Sequence, residues 1–473
     1  MMVKHIIKLI LMVVLLINCQ QSIAQKGFKY NGIYSGVTWF DDRGEIIGAH
    51  AANIIKDNGK YYLFGEKHSD TSNAFVGFNC YSSTDLYNWK FESLALPIQD
   101  TGNLGPNRIG ERVKVMKCPK TGEYVMFMHT DDLGYKDPSV GYATSKTIKG
   151  PYTFKGVLLF NGSPIKKWDM GTFQDSDGSG YLLIHGGDIF KLNDDYKSII
   201  EHVLKSKIPG GESPAVFKRK NIYYWLSSHR TSWERNDNEY YTSSSLAGPW
   251  KARGNFAPSG SLTWNSQTTF VLPIPAAKDT TYLFMGDRWS FPLQASAATY
   301  VWQPLAFKGD AIAVQNYREG WQINTVSGVV STIKNKWQTI ENTNNKLISY
   351  TGLWKNFTLS DTLSVSSSAI KDASFSFKFS GKQIGFYSLS GPNGGYAKVT
   401  LSNGKGKVVL SSTVDMYCSY TTTGLKFLSP ILQRDNYTLK VTVMGKRSNW
   451  SDKRKSDYGS KGNVVSLAHI LIN

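Results

Sequence analysis

Short apolar, aromatic-rich runs recur along the first two thirds of the chain: "KYYLFGE" from Lys60, "EYVMFMH" from Glu123, "GYLLIHG" from Gly180, "IYYWLSS" from Ile222 and "TYLFMGDRW" from Thr281. Their length and their aromatic and β-branched content predict strands. The first four follow the turn signals "DNGK", "KTGE", "DGSG" and "KRKN", so each is expected to be the second arm of a hairpin. Later segments, "SSTDLYNW", "SKTIKGPY" and "SSLAGPW", echo one another and predict a further strand per unit. A spacing of roughly 40 to 60 residues matches a blade of four antiparallel strands. Five copies predict an all-β fold, a five-bladed β-propeller over residues 28–325, with its chemistry at the polar centre where the innermost strands converge.

Beyond about residue 335 the pattern becomes strict alternation, as in "SFSFKFSGKQIGFYSLSGPNGGYAKVTLSNGKGKVVL", "NYTLKVTVMG" and "VVSLAHILIN". Alternation with "NGG" and "NGKG" turns predicts a β-sandwich over 335–473, which looks like an ancillary or carbohydrate-binding module. The stretch "SNWSDKRKSDYGSKGN" is too charged and Gly/Ser-rich for a strand and is expected to be a solvated loop.

Residues 1–24 read as a signal peptide, with Lys4 and His5 before the run "IIKLILMVVLLI" and a cleavage site after Ala24. The expected location is secreted or periplasmic, and Cys19 offers a less favoured lipid anchor because Asn18 does not suit a lipobox. Cys80, Cys118 and Cys418 are an odd set without paired spacing and predict buried thiols. The net charge of +18 points to an acidic polysaccharide as partner, since no nucleic-acid motif accompanies it and no membrane span is predicted. His50, His68, His129, His185 and His229 show no ligand spacing, so no cofactor or metal is required, although a structural calcium or sodium ion in the axis fits the fold.

Three acids stand at the same place in successive units: Glu111 in "GERVKVM", Asp169 in "KWDMGTF" and Glu212 in "GGESPAVF". A charge at the mouth of a buried strand is costly unless it is bonded or used. Local alternatives exist for each: an ion pair with Arg112 for Glu111, a turn cap for Asp169, and backbone bonds for Glu212. Their shared phase argues instead for one common pit. Trp233, Tyr240, Trp289 and Trp302 are candidates to stack on the sugars of such a polysaccharide, with aromatic packing inside the blades the alternative for each.

The phrases "GERVKV", "WDMGTFQDSDGSGYLL", "ESPAVFKRKNIYYWLSS", "NSQTTFVLPIP", "FMGDRW" and "TYVWQPLAF" together resemble glycoside hydrolase family 43, and within it the exo-β-1,3-galactanases. The resemblance implies a propeller that releases galactose from the β-1,3-galactan of type II arabinogalactan with inversion. It implies that Glu212 is the general acid, Asp169 the group that tunes and orients it, and Glu111 a substrate contact. Most of the family takes its base from an aspartate of the first unit, but here that unit reads "IIGAHAANIIK", which offers His50, a substrate-binding candidate, and no acid. The galactanase pattern assigns the water to a glutamine that matches Gln267. Ala51, Ala52 and Asn53 replace a glycine-rich run, and Trp168 replaces an arginine, which bears on the identity of the sugar. Two alternatives stay open: α-L-arabinofuranosidase or β-xylosidase activity, and a catalytically silent glycan-binding propeller.

Overall fold

The computed structural model describes residues 27–206, 211–276, 279–344, 346–360, 363–452 and 454–473. The expected signal peptide, including Cys19, lies outside them. The described chain is nearly all β, with helical segments of three or four residues only.

Five antiparallel sheets follow in order, each starting from an inner strand: His50–Asp57 in sheet I, Arg108–Lys117 in sheet II, Met170–Gln174 in sheet III, Glu212–Arg219 in sheet IV and Gln267–Ile274 in sheet V. Sheets I to IV have four strands and sheet V has three, all paired in sequence order. The runs predicted as second hairpin arms are the second strands, Lys60–Glu66, Tyr124–Asp132, Gly180–Ile184, Ile222–Ser228 and Thr281–Arg288. Each inner strand packs against the next, and that of sheet V packs against that of sheet I. The N-terminal segment meets the outer strand of sheet V: Gly36 N–H donates to Tyr300 O at 2.7 Å and Ser35 Oγ to Trp302 O at 2.8 Å. Glycines permit close approach between neighbours, and a Cβ on Gly171 would lie 2.2 Å from Pro214 O of sheet IV.

Beside a three-stranded sheet of Lys355–Ser360, Leu363–Ser368 and Val465–Leu467, the C-terminal region forms two larger antiparallel sheets. One orders Gln338–Glu341, His469–Ile472, Ile384–Ser390 and Thr422–Leu428; the other orders Ile348–Thr351, Ser374–Gly381, Asp435–Val443, Tyr396–Asn403 and Val408–Asp415. Alternating side chains such as Phe375, Phe377, Leu439 and Val441 share one apolar core with Phe386 and Phe427 of the other sheet. That core continues into Phe40 and Trp39 of the first region. The segment expected to be wholly loop contains a short hairpin, Asn449–Ser451 with Asp457–Gly459. The three cysteines are buried and free, as thiols acting as small apolar residues should be.

Candidate active site

Each inner strand delivers one residue to a common place: His50 opens that of sheet I, Glu111 lies near the start in sheet II, Asp169 just precedes it in sheet III, and Glu212 and Gln267 open those of sheets IV and V. Each has a partner at the end of the second strand. His50 pairs with Glu66, Glu111 with His129, Glu212 with Ser228 and Gln267 with Asp287, while His185 N–H donates to Asp169 O at 2.9 Å.

In sheets I, II and IV the register slips directly after the site residue. The following residues, Ala51, Arg112 and Ser213, take φ of 48°, 57° and 57°. A bulge inserts one residue and re-aims its neighbours. Each bulged N–H, deprived of a ladder partner, donates to a carboxylate of the preceding sheet: Ala51 to Asp287 Oδ2 at 3.0 Å, Arg112 to Glu66 Oε1 at 2.6 Å and Ser213 to Asp169 Oδ2 at 2.8 Å. The repeat therefore ties sheet V to I, I to II and III to IV through its own acids.

Arg112 joins the centre of the site. Its Nη2 bonds both Gln267 Oε1, at 2.9 Å, and Asp169 Oδ2, at 3.1 Å, and its guanidinium lies over the Trp289 ring at 5.7 Å. Burial opposes ionisation of Asp169, but Arg112, His129 and His185 hold its carboxyl below the usual carboxylate range. The opposite holds for Glu212. Burial and the adjacent Asp169 charge push it up to about 8, against the pull of Arg112 and Arg230. The pair thus holds one proton on Glu212 at neutral pH and a charge on Asp169.

Glu111 does not pair through its carboxylate with Arg112. It accepts from Tyr135 Oη at 2.7 Å and faces His129 Nδ1 at 3.3 Å, with Asp131 on the other ring nitrogen at 3.1 Å. Against burial, these two acids raise His129 to about 9. The Gln267 amide is fixed at both ends, with Oε1 accepting from Arg112 and from Trp289 Nε1 at 2.8 Å and Nε2 donating to Ser228 Oγ at 2.9 Å. Both lone pairs of Oε1 are therefore in use.

The aromatic candidates divide. Trp289 is covered but borders the site, 5.6 Å from His50 and 5.1 Å from Trp233, and the half-buried Trp233 also stacks on Phe291. His50 is buried, held by Asp287 Oδ1 at 3.0 Å and stacked on Tyr300 at 4.5 Å. Trp302 and Tyr240 belong to packing instead. Trp302, 1% exposed, sits on the third strand of sheet V against Trp39 and Trp89, and Tyr240 is buried between sheets IV and V with its hydroxyl on Ile312 N. Neither can face a sugar from there.

Lys114 Nζ is buried and donates to Ala51 O at 2.6 Å, and burial together with Arg112 lowers it to about 7. Among the described residues no group of three His, Cys, Asp or Glu side chains could hold a metal ion.

Residues 46–263 match the profile of glycosyl hydrolases family 43. A Bifidobacterium bifidum structure described as a candidate exo-β-1,3-galactanase is 34% identical, over 59% of this chain and 95% of that one, with a TM-score of 0.55. The chain belongs to glycosyl hydrolase family 43. The exo-β-1,3-galactanase of Phanerochaete chrysosporium, solved with galactose, is 27% identical over 94% of this chain and 100% of that chain, with a TM-score of 0.69. The enzyme of that name from Clostridium thermocellum is 26% identical over 72% and 85%, with a TM-score of 0.59. Among curated proteins no match is found. The family 43 chain is a glycoside hydrolase similar to exo-β-1,3-galactanases.

His129 was legible as a strand histidine able to line the pit, but Glu66, Arg112, Asp287 and Tyr135 were missed as members of the site. A signal existed for two of them, because Glu66 and Asp287 are each paired with an inner-strand residue across a hairpin.

Proposed function

We propose that this protein is a secreted, inverting exo-glycosidase that releases galactose from β-1,3-galactan of type II arabinogalactan. We read sheets I to V as the blades of a five-bladed propeller over residues 28–325, and residues 335–473 as an ancillary β-sandwich. The observation that carries the mechanism is the placement of Glu212 at the opening of the sheet IV inner strand beside Asp169, whose carboxylate bonds the next residue, Ser213; burial and that charge favour a proton on Glu212. Inversion needs an acid on the leaving oxygen and a water activated on the opposite face of the sugar. Glu212 is the acid in this reading, Asp169 tunes and orients it, and Glu111 and Trp233 contact substrate.

Gln267 orients the water. An amide is a feeble base, so its effect comes from position. With Oε1 already accepting from Arg112 and Trp289, the water gains its acceptor when Arg112, which shares Nη2 with Asp169, leans toward the latter as sugar enters. Similarity to enzymes described as exo-β-1,3-galactanases supports the substrate. Chromatography of products from β-1,3-galactan, arabinogalactan, arabinan and xylan tests it. Galactose from the first two alone is expected; arabinose or xylose would transfer the protein to another family 43 activity, and no release would leave a binding propeller.

A further inference from the structure

Trp289 and Ser290 line a small interior cavity of about 20 Å³ at the seam between sheet V and the C-terminal region, above the roughly 10–15 Å³ that a single water needs. Its walls carry three cations, Arg235, Arg288 and Lys426, and one carboxylate, Asp415. The arginines spend their hydrogen bonds on neutral oxygens. Arg235 bonds Asn265 Oδ1 at 2.7 Å and Trp289 O at 3.1 Å, and Arg288 bonds Asn265 O and Trp264 O, each at 3.0 Å. Asp415 is committed to Ser290 Oγ and Tyr417 N, each at 2.9 Å. Glu234 lies 3.7 Å from Arg235 Nε and is bonded to Tyr417 Oη at 2.7 Å. Lys426, 9% exposed, makes no hydrogen bond or ion pair with any described residue.

A buried ammonium beside two guanidinium groups is unfavourable unless an anion joins them. Burial and Arg288 push Lys426 down to about 8, and an anion in the cavity would oppose that. The small volume favours a monatomic ion over phosphate, sulfate or a sugar carboxylate. We propose that this seam cavity binds one halide-sized inorganic anion, chloride in ordinary media, held by Lys426, Arg235 and Arg288. The ion fastens the C-terminal region to the wall that carries Trp289, whose indole donates to Gln267. Only its effect on turnover rests on the proposed function; binding does not.

The test uses the full chain at constant ionic strength, with sodium chloride or bromide replacing sodium methanesulfonate. A bound ion raises the melting temperature by mass action, here by about 2 °C or more between zero and saturating halide. Crystals soaked in bromide are expected to show an anomalous peak between Lys426 Nζ and the two guanidinium groups. Lys426→Met should abolish both responses, and Lys446→Met, at an exposed position, should keep them. Absence of a halide-specific shift and of a bromide peak in the unaltered protein would mean that water fills the cavity and would overturn the proposal, whatever the variant does. So would a Lys426→Met protein that responds like its parent. Galactose release that persists without any halide response discards the ion and keeps the enzyme reading; a halide response without galactose release does the reverse.

Discussion

At the scale of single residues, the site turns on how one proton is shared between Glu212 and Asp169. Glu212→Gln removes the donor and should lower turnover on galactan by roughly 10²- to 10⁴-fold, with a smaller loss on aryl galactosides that need no protonation of the leaving group. The same change bears on stability. Because the folded protein holds the Glu212 proton to about pH 8 while the unfolded chain releases it in the ordinary carboxyl range, native stability falls as pH climbs between those values. Glutamine removes that slope, so Glu212→Gln should melt higher than the parent at pH 8 and alike at pH 4, read by thermal unfolding. Asp169→Asn removes the charge that raises Glu212, and the basic limb of the pH–rate profile should move down; an unmoved limb would leave Asp169 a positioning role only. The phase of Glu111, Asp169 and Glu212 was legible because each sits at the same point of a repeat. Arg112 was not, since its link to Asp169 and Gln267 crosses between sheets and depends on a left-handed φ that only the bulge explains.

At the scale of elements, the bulges set the direction of each side chain and the glycines allow the approach. Gly211 precedes Glu212, and a Cβ there would lie 1.7 Å from Ser228 O, a backbone atom that cannot yield. Gly211→Ala should therefore push the opening of the sheet IV inner strand away from its partner, costing about 1–3 kcal/mol as overpacking does. Galactose release should fall at least tenfold while the pH profile of what remains shifts, because Glu212 moves relative to Asp169. Strand and hairpin positions followed from turn residues and alternation, and all five second strands stand where the apolar runs predicted them. Alternation does not say which layer a third strand occupies, and for that reason Trp302 looked like a sugar platform although it is packed against Trp39 and Trp89. The bulges left no mark that a period-of-two reading detects.

At the scale of the molecule, the seam was the least legible part, because its contacts join residues more than a hundred positions apart. Tyr396 Oη donates to Ser290 O at 2.9 Å, and Trp450 Nε1 to Ser232 Oγ at 3.2 Å beside Trp233. The C-terminal region thus braces both the sheet V wall and the loop that presents Trp233. The net charge of +18 should favour glucuronate-bearing arabinogalactan over neutral galactan at low salt. Screening acts over about 8 Å at physiological ionic strength, so the ratio of the acidic to the neutral rate should fall as salt rises; a ratio indifferent to salt would give the charge another purpose. The central claim, inverting release of galactose, is tested most directly by proton NMR of β-1,3-galactan during the first minutes of hydrolysis. The account predicts free galactose that appears first as the α-anomer and then mutarotates. Galactose appearing first as the β-anomer, or no galactose from an enzyme active on arabinan or xylan, would contradict it.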